Sequence, residues 1–186
     1  MTREEKCMHD AGAWNCEQRS PHHVYSVGKH TEVVVRYCID HGASTELIKA
    51  AWLHDAGKMK TKSFDGKCDH FKNHPEVSAQ IAEKLGESDY VIRLVRFHDA
   101  ALGRSDVTIQ ELASYGRKWC DDLAILLMGD LAGQHPTYQM GEKLQQRGIW
   151  FRSSVLQALR TQLPLLMRLS ISPTSRVSPL LLTKVA

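Results

Sequence analysis

The stretch from Trp52 to Lys58 reads Trp-Leu-His-Asp-Ala-Gly-Lys and places a histidine, an aspartate and a lysine at the end of an apolar run. Successive residues of a helix point about 100° apart, so His54 and Asp55 can face one point only near a helix end. Gly57 favours such an end, because glycine takes the left-handed conformation without steric cost. The stretch therefore predicts a helix terminus with an imidazole and a carboxylate side by side, and with Lys58 placed to meet an anion.

A histidine–aspartate pair of this kind is more often a helix cap beside a solvated lysine than a functional site. Other residues of the same chemistry are needed to distinguish the two. Four further side chains of the same chemistry lie on or next to apolar helical patterns, namely His30, His74, His98 and Asp130. Imidazoles and carboxylates are good ligands for divalent metals. A carboxylate in an apolar stripe, as at Asp130, is costly to bury unless it is paired, caps a helix or binds a metal.

The spacing of apolar residues predicts an all-α protein, with no alternating run that favours a β-strand. Residues 29–40 form one helical pattern, and Ser44 and Ser88 are the expected caps of two later helices. Residues 59–73 are expected to form a loop that turns at Asp65-Gly66. The other predicted helices are a short one near residues 8–14, one that starts at His74-Pro75, a short one over 109–115, one over 121–133, and a long one over 142–167 that is interrupted at Gly148 and Pro164.

The short turn at Gly42 joins the helix over 29–40 to the helix that Ser44 caps. Two helices joined by a short turn pack antiparallel. The start of the first helix then lies near the end of the second. This topology is expected to bring His30 beside His54 and Asp55.

A chain of 186 residues, 42% apolar and 24% charged, is long enough for one domain with a full core. We expect an N-terminal segment over residues 1–20, the domain over 21–165, and a tail over 166–186 that is poorly ordered or an oligomer contact. The formal charge of +3 is too small to argue for nucleic acid. Residues after Glu142 carry only basic charges, which favours a solvated face and a loose tail over a contact with an anionic substrate, nucleic acid or a neighbouring subunit.

Cysteine usage and the N-terminal residues favour the cytoplasm. The five cysteines are an odd number and include no Cys-x-x-Cys pair, which argues against a disulfide framework and for a reducing compartment. The first residues lack the apolar core of a signal peptide, and no run approaches the ~20 apolar residues of a membrane span. We therefore expect a cytoplasmic protein with no membrane partner.

The metal-type side chains come from five predicted helices and form one set. Four histidines and two carboxylates can hold two metal ions with Asp55 as the bridge, and such a site lowers the pKa of a bridging water. The expected metal ligands are His30, His54, Asp55, His74, His98 and Asp130.

Three stretches around this set resemble the HD superfamily of metal-dependent phosphohydrolases, which has an all-helical fold. They are Pro21-His22-His23 with His30-Thr31, His54-Asp55-Ala56-Gly57-Lys58, and His70-Phe71-Lys72-Asn73-His74-Pro75-Glu76-Val77-Ser78-Ala79. Over about residues 20–140 the chain looks most like the HD domain of bacterial tRNA nucleotidyltransferases and its small stand-alone relatives. The resemblance implies a compact bundle of about six to eight helices around a metal site. Some two-metal members carry a second histidine where this chain has Asp99, which leaves the number of metals at one or two.

By this resemblance, the reaction is hydrolysis of a phosphoester by a hydroxide that the metal activates. Asp55 and Lys58 are the expected catalytic residues, and Lys58 neutralises the charge that develops on the phosphoryl oxygens. The cofactor is one or two divalent ions of iron, manganese, cobalt, nickel, zinc or magnesium. A nucleotide or cyclic nucleotide is the preferred substrate, with deoxynucleoside triphosphates as a further option. The expected substrate contacts are His23, Tyr25, Lys62, Asp99 and Arg104.

Two other functions fit the same fold and ligand set. The mixed-valent diiron oxygenases, such as inositol oxygenase and its phosphonate-cleaving relatives, are similar in both respects but hold iron and consume dioxygen. The stretch over residues 70–79 favours the phosphohydrolase, because it looks like the tRNA-enzyme relatives. A non-catalytic nucleotide sensor is the third interpretation, and it predicts tight nucleotide binding without turnover. Each interpretation allows a homo-oligomer.

Overall fold

A computed structural model describes residues 1–20, 23, 25–100, 107–134 and 142–162 of the chain. These residues form nine helices and one two-stranded sheet, so the predicted all-α bundle is confirmed apart from a small hairpin. The helices are α1 (Arg3–Asp10), α2 (Val27–Asp40), α3 (Thr45–Leu53), α4 (Lys58–Thr61), α5 (His74–Lys84), α6 (Asp89–Phe97), α7 (Ile109–Ser114), α8 (Arg117–Ala132) and α9 (Glu142–Gln162), and the strands are β1 (Lys62–Phe64) and β2 (Asp69–Phe71).

Serine side chains set the starts of three helices. The hydroxyl of Ser26 accepts a hydrogen bond from the backbone N–H of Lys29, so α2 begins at Val27, two residues before the predicted start. Ser44 and Ser88 cap α3 and α6 in the same way, as predicted. Each cap satisfies one of the backbone donors that a helix leaves unpaired at its start.

The prediction that the chain has no β-strand was wrong for the segment between α4 and α5. Strands β1 and β2 pair antiparallel there, with Lys62 opposite Phe71. The predicted turn at Asp65-Gly66 connects them, and Oδ1 of Asp65 accepts the backbone N–H groups of Lys67 and Cys68. Three residues per strand are too few to show an alternating pattern, so the sequence gives no strand signal here.

The N-terminal helix lies over Arg3–Asp10 rather than near residues 8–14. Thr2 and Glu5 form a capping box, in which each side chain accepts the backbone N–H of the other residue. Gly12 follows the helix with a φ of 69°, a left-handed conformation that favours glycine. The cap therefore decides the position of this helix, where the apolar residues alone suggest a later start.

Helix α9 continues through Gly148, so the predicted interruption there was wrong. One glycine costs a helix only about 1 kcal/mol relative to alanine. Packing of α9 against α7 and α8, with Phe151 and Val155 buried, offsets that cost. Pro164, the second predicted interruption, lies outside the described residues. Helix α8 begins at Arg117, before its predicted start at residue 121.

Helix α3 lies at the centre of the bundle and packs against α1, α2, α5, α6 and α8. Its carboxyl end is therefore surrounded by other helices. Burial of a leucine side chain stabilises the fold by about 1.5–3 kcal/mol, and leucines dominate this core. The largest fully buried side chains include Trp119, Phe151, Leu47, Leu53, Leu94, Leu112, Leu123, Leu126 and Leu127. None of the helices in the described ranges is both long enough and apolar enough to cross a membrane.

Residues 1–20 pack on the start of α2 through a second, smaller core. Met8, Ala13 and Cys16 are buried there together with Val27. The backbone N–H of Gly28 donates to the carbonyl of Trp14, and a Cβ at Gly28 would lie 2.6 Å from that oxygen. Glycine is therefore required for this close approach, which fixes the N-terminal segment against the helix that carries His30.

Candidate metal centre

Four histidines reach one point because each stands at or near a helix end. His30 lies in the first turn of α2, and His74 is the first residue of α5. His54 and His98 directly follow the last residues of α3 and α6. All four are buried. These helix ends converge inside the bundle. The end before His98 was not predicted, because the sequence places His98 within an apolar stripe.

Backbone carbonyls fix the orientation of all four imidazole rings. A carbonyl oxygen only accepts hydrogen bonds, so each Nδ1 donates and each Nε2 keeps its lone pair for the centre. Metal-binding histidines in proteins are oriented in this way. The four Nδ1–oxygen pairs are His30 with Gly133 at 3.0 Å, His54 with Ala51 at 2.8 Å, His74 with Phe71 at 2.9 Å, and His98 with Val95 at 2.7 Å.

The Nε2 atoms meet in two pairs. Those of His30 and His54 lie 3.3 Å apart, and those of His74 and His98 lie 3.2 Å apart. With the protons on Nδ1, two lone pairs face each other in each pair. A cation shared by the two nitrogens turns this repulsion into attraction, so each pair has the chemistry of half a metal site.

Asp55 lies between the two histidine pairs and gives one carboxylate oxygen to each. Its Oδ2 is 3.6 Å from Nε2 of His30 and 3.3 Å from Nε2 of His54. Its Oδ1 is 3.2 Å from Nε2 of His74 and 3.9 Å from Nε2 of His98. Two groups that could hold a metal ion therefore share this residue, His30–His54–Asp55 and Asp55–His74–His98.

A second carboxylate lies beside each group. Oδ1 of Asp130 is 2.9 Å from Nε2 of His30. Oδ2 of Asp99 is 3.8 Å from Nε2 of His74, and its Oδ1 is 3.9 Å from Nε2 of His98. The structure thus brings all six predicted metal ligands together. It also places Asp99, expected from the sequence to contact the substrate, beside the second histidine pair.

The charges of the centre favour a bound cation. Burial acts to raise the pKa of Asp55, but the adjacent His54 ring and the charge of Lys58 outweigh it and hold that pKa well below its usual range. Burial acts likewise on Asp130, where the close contact with the His30 ring outweighs it and the pKa is lowered. Both carboxylates are therefore anionic in a buried site, and such charges need positive partners.

The imidazoles respond to the same field. Burial lowers the pKa of His98. It acts in the same direction on His54, but the adjacent carboxylate of Asp55 outweighs it and raises the pKa of that ring. The carboxylate of Asp55 therefore favours positive charge beside His54.

The buried donor set fits one or two divalent metals. Oδ2 of Asp55 is buried, and no donor among the described residues meets it with hydrogen-bond geometry. Nζ of Lys58 lies 2.7 Å away and forms an ion pair with this oxygen. An oxygen with an unused lone pair, surrounded by imidazole nitrogens, is what a metal ligand requires.

Gly57 allows α5 to pack closely beside the centre, and its backbone conformation differs from the predicted one. Its φ of −80° and ψ of −12° are right-handed, so the expected left-handed conformation was wrong. A Cβ at this position would lie 2.7 Å from the carbonyl oxygen of His74 and 2.7 Å from the nitrogen of Ser78. The backbone N–H of Gly57 donates to Oγ of Ser78 at 2.9 Å. Glycine is therefore needed for close packing of two helices rather than for its backbone angles.

Lys58 is buried next to Asp55, as the sequence predicts. It is the first residue of α4, and only 5% of its surface is exposed. Nζ donates a hydrogen bond of 2.7 Å to Oε1 of Gln18 and lies 5.3 Å from the centre of the Phe71 ring. A buried ammonium group beside the histidine pairs can bind an anion that enters the centre.

The other expected substrate contacts divide into three groups. His23 lies beside the centre, where its ring meets that of His30 edge to face with the centroids 5.7 Å apart. Tyr25 is exposed on the same loop. Lys62 points elsewhere and contacts the carbonyl of Glu17 and the carboxylate of Asp69. Arg104 lies outside the described residues.

Two polar contacts of the site were not predicted. Gln18 holds Lys58, and the hydroxyl of Ser78 holds the backbone of Gly57. Gln18 is a single glutamine in a polar stretch, and Ser78 lies on a helix face that otherwise reads as small and apolar. Neither has a sequence pattern that marks it, because both contacts join segments far apart in the chain.

Comparison with protein families agrees with this geometry. The profile of the HD domain matches residues 23–128, which is more than half of the chain. The chain therefore belongs to the HD domain family, and the predicted superfamily of metal-dependent phosphohydrolases is confirmed. Comparisons with curated proteins and with solved structures give no significant match. The expected nearness to the HD domain of tRNA nucleotidyltransferases stays a prediction.

Proposed function

We propose that this protein is a phosphohydrolase that uses two divalent metal ions to cleave a phosphoester of a nucleotide or cyclic nucleotide. Family membership supports the class of reaction. The observation that carries the proposal is the position of Asp55, whose two oxygens face two separate pairs of histidine Nε2 atoms. The choice of a nucleotide rests on the resemblance of the sequence to the tRNA-enzyme domains.

The described residues divide between two metal positions. When bound there, divalent ions polarise a phosphoryl oxygen and lower the pKa of a water molecule. His30, His54 and Asp130 would serve one position, and His74 and His98 the other, with Asp55 common to both. Asp99 lies close enough to the second pair to complete it. Imidazole and carboxylate ligands together accept several first-row metals, so we leave iron, manganese, cobalt, nickel, zinc and magnesium as alternatives.

Lys58 supplies the fixed positive charge of the site. Its ammonium group is buried, which strengthens its attraction for a phosphoryl oxygen relative to the same contact in water. The negative charge on those oxygens grows toward the transition state, so a fixed ammonium stabilises the transition state more than the substrate. We therefore assign Lys58 to binding and stabilising the phosphoryl group.

His23 is the loop residue best placed to meet the same phosphoryl group. Its Nδ1 is buried and has no hydrogen-bond partner among the described residues. Burial, followed by the charge of Lys58, lowers the pKa of His23 to about 3, so the ring is neutral. A neutral imidazole can donate one hydrogen bond to an oxygen of the substrate. Tyr25 and Arg104 stay proposed contacts, whereas the ion pair of Lys62 with Asp69 makes Lys62 a weaker candidate.

Phosphate release from a panel of nucleotides, cyclic nucleotides and phosphomonoesters, with each metal restored in turn, tests this function. We expect turnover of at least one substrate by the wild-type protein and by His41→Ala, and none by His54→Ala. His41 is a suitable control because it stacks on Tyr37, away from the centre. Oxygen uptake by iron-loaded protein without phosphate release would favour the oxygenase, and tight nucleotide binding without turnover in any metal would favour the sensor.

A further inference from the structure

We propose that Gln18 is a positioning residue for the reaction, which holds the ammonium group of Lys58 in the direction of the substrate phosphoryl group. The proposal rests on the proposed function of Lys58. It adds to the site a residue that precedes the part of the chain matched by the HD domain, residues 23–128.

Both ends of the Gln18 amide are occupied. Oε1 lies 2.7 Å from Nζ of Lys58. An ammonium group can only donate, so the amide atom facing it must be the oxygen. Nε2 then donates at 3.3 Å to the backbone carbonyl of Tyr25. Gln18 therefore connects Lys58 with the loop that carries His23.

Gln18 is itself rigidly placed. Only 6% of its surface is exposed. Two residues before it, the carbonyl of Cys16 accepts the backbone N–H of Val27 at 2.8 Å. One residue after it, the backbone N–H of Arg19 donates to the carboxylate of Asp69 at 2.8 Å. The backbone is thus pinned on both sides, so the amide is a fixed acceptor rather than a mobile surface group.

Two acceptors compete for the ammonium group. Oδ2 of Asp55 lies 2.7 Å from Nζ of Lys58, but that oxygen also faces the His30–His54 pair. Gln18 offers a neutral acceptor at the same distance, which no metal position needs. With one donor directed at Gln18 and the ammonium group held in its ion pair with Asp55, a remaining donor is left for the substrate. Gln18 therefore keeps Lys58 aligned without using a metal ligand for that purpose.

A double-mutant cycle tests the proposal, with Gln18→Met, Lys58→Ala and the double variant. Methionine keeps the length of the side chain and removes both polar ends. We expect Gln18→Met to lower kcat roughly tenfold or more, with KM nearly unchanged, because a misplaced catalytic group costs rate rather than ground-state binding. In the Lys58→Ala background the same substitution should cause no further loss. Gln80→Met, at an exposed glutamine of α5, is the matched control.

A second measurement does not depend on activity. Acylation of lysines by an amine-directed reagent, quantified by peptide mass spectrometry, should reach Lys58 several-fold faster in Gln18→Met than in the wild type, relative to the exposed Lys60 as internal reference. The metal content of the two proteins should be equal. Both results together support Gln18 as a positioning residue.

The proposal and the function beneath it fail in different ways. If the wild-type protein releases no phosphate from any substrate, the proposed function fails and the role of Gln18 falls with it. If the wild type turns over and Gln18→Met matches it or exceeds it, only the Gln18 proposal is overturned. An equal loss in the wild-type and Lys58→Ala backgrounds, or unchanged acylation of Lys58, overturns it as well.

Discussion

Oδ2 of Asp55 lies 2.7 Å from Nζ of Lys58, and both side chains are buried. The backbone N–H of Lys58 donates to the carbonyl of Asp55 at 3.0 Å, so a single turn places both residues on the same side of the chain. One stretch of sequence thus provides the carboxylate shared by the two histidine pairs and the cation that we propose meets the phosphoryl group. The proposed metal ligand and the proposed anion-binding group are therefore adjacent.

Replacement of Lys58 by alanine separates these two roles. The substitution removes a positive charge next to Asp55 but no candidate metal ligand, so we expect the metal content to be unchanged. We expect kcat to fall roughly 100-fold or more, because the fixed positive charge that would face the phosphoryl oxygens is lost. Kinetics with the preferred substrate, together with elemental analysis, measures both effects. Lys60→Ala, at an exposed position of α4, is the control, and loss of metal from Lys58→Ala would show a structural role instead.

Asp55→Ala and His54→Ala should abolish both metal binding and turnover. Asp55 belongs to both candidate metal groups, and His54 belongs to the group with His30 and Asp55. Titration of the purified variants with metal, followed by removal of excess ion, measures what each protein retains. His41→Ala should retain as much metal as the wild type. Full activity in either centre variant would refute the assignment of the site.

Gly57→Ala should damage the centre without altering any ligand. The added Cβ would meet backbone atoms of His74 and Ser78 at 2.7 Å, and backbone cannot move aside as a flexible side chain does. We expect a loss of about 1–3 kcal/mol in the free energy of unfolding, typical of overpacking. Displacement of α5 should also weaken metal binding at the His74–His98 pair. Urea unfolding and metal content test these effects, and an unchanged value of both would contradict the packing described above.

Asp69 links stability to acid pH through the N-terminal segment. Hydrogen bonds from Arg19 have the largest effect on the pKa of Asp69. They outweigh burial and lower that pKa in the folded protein. A lowered pKa stabilises the fold above the pKa of the unfolded carboxyl, about 3.9, and the stabilisation is lost as pH falls toward the native pKa. Asp69→Asn should therefore be less stable than the wild type at neutral pH, and the difference should shrink below about pH 4.

Unfolding free energies measured between neutral pH and about pH 3 test this expectation. Asp40→Asn is the control, because Asp40 is an exposed residue of α2. It should follow the pH dependence of the wild type. A difference between wild type and Asp69→Asn that is constant over the whole range would show that the Asp69 contacts act through packing and not through charge.

More of the metal-type residues than of the surrounding contacts could be predicted from the sequence. Helix periodicity and a short turn were enough to place His30 beside His54 and Asp55, because both signals are local and the topology follows from them. The same holds for His74, at a helix start that Pro75 marks, and for His98, which an apolar stripe places on an inner helix face. Charged and metal-type residues are rare on inner helix faces, so their occurrence on five predicted helices indicates a common site.

Contacts between distant segments were not predictable in the same way. Gln18 meets Lys58 across 40 positions of the chain, and no periodicity or motif relates the two. Position 57 requires glycine for close helix packing, and the sequence does not distinguish this requirement from a helix cap. The hairpin of β1 and β2 is too short for an alternating pattern. In each case the deciding interaction is tertiary, and the local sequence is compatible with several outcomes.

The most direct test of the central claim is the metal content of the purified protein by elemental analysis, with phosphate release measured on the same sample. Because Asp55 faces both histidine pairs, we expect about two divalent ions per chain, a loss of both in Asp55→Ala, and phosphate release from at least one nucleotide. A wild-type protein that binds no divalent metal after incubation with each of the six metals would show that this cluster is not a metal centre.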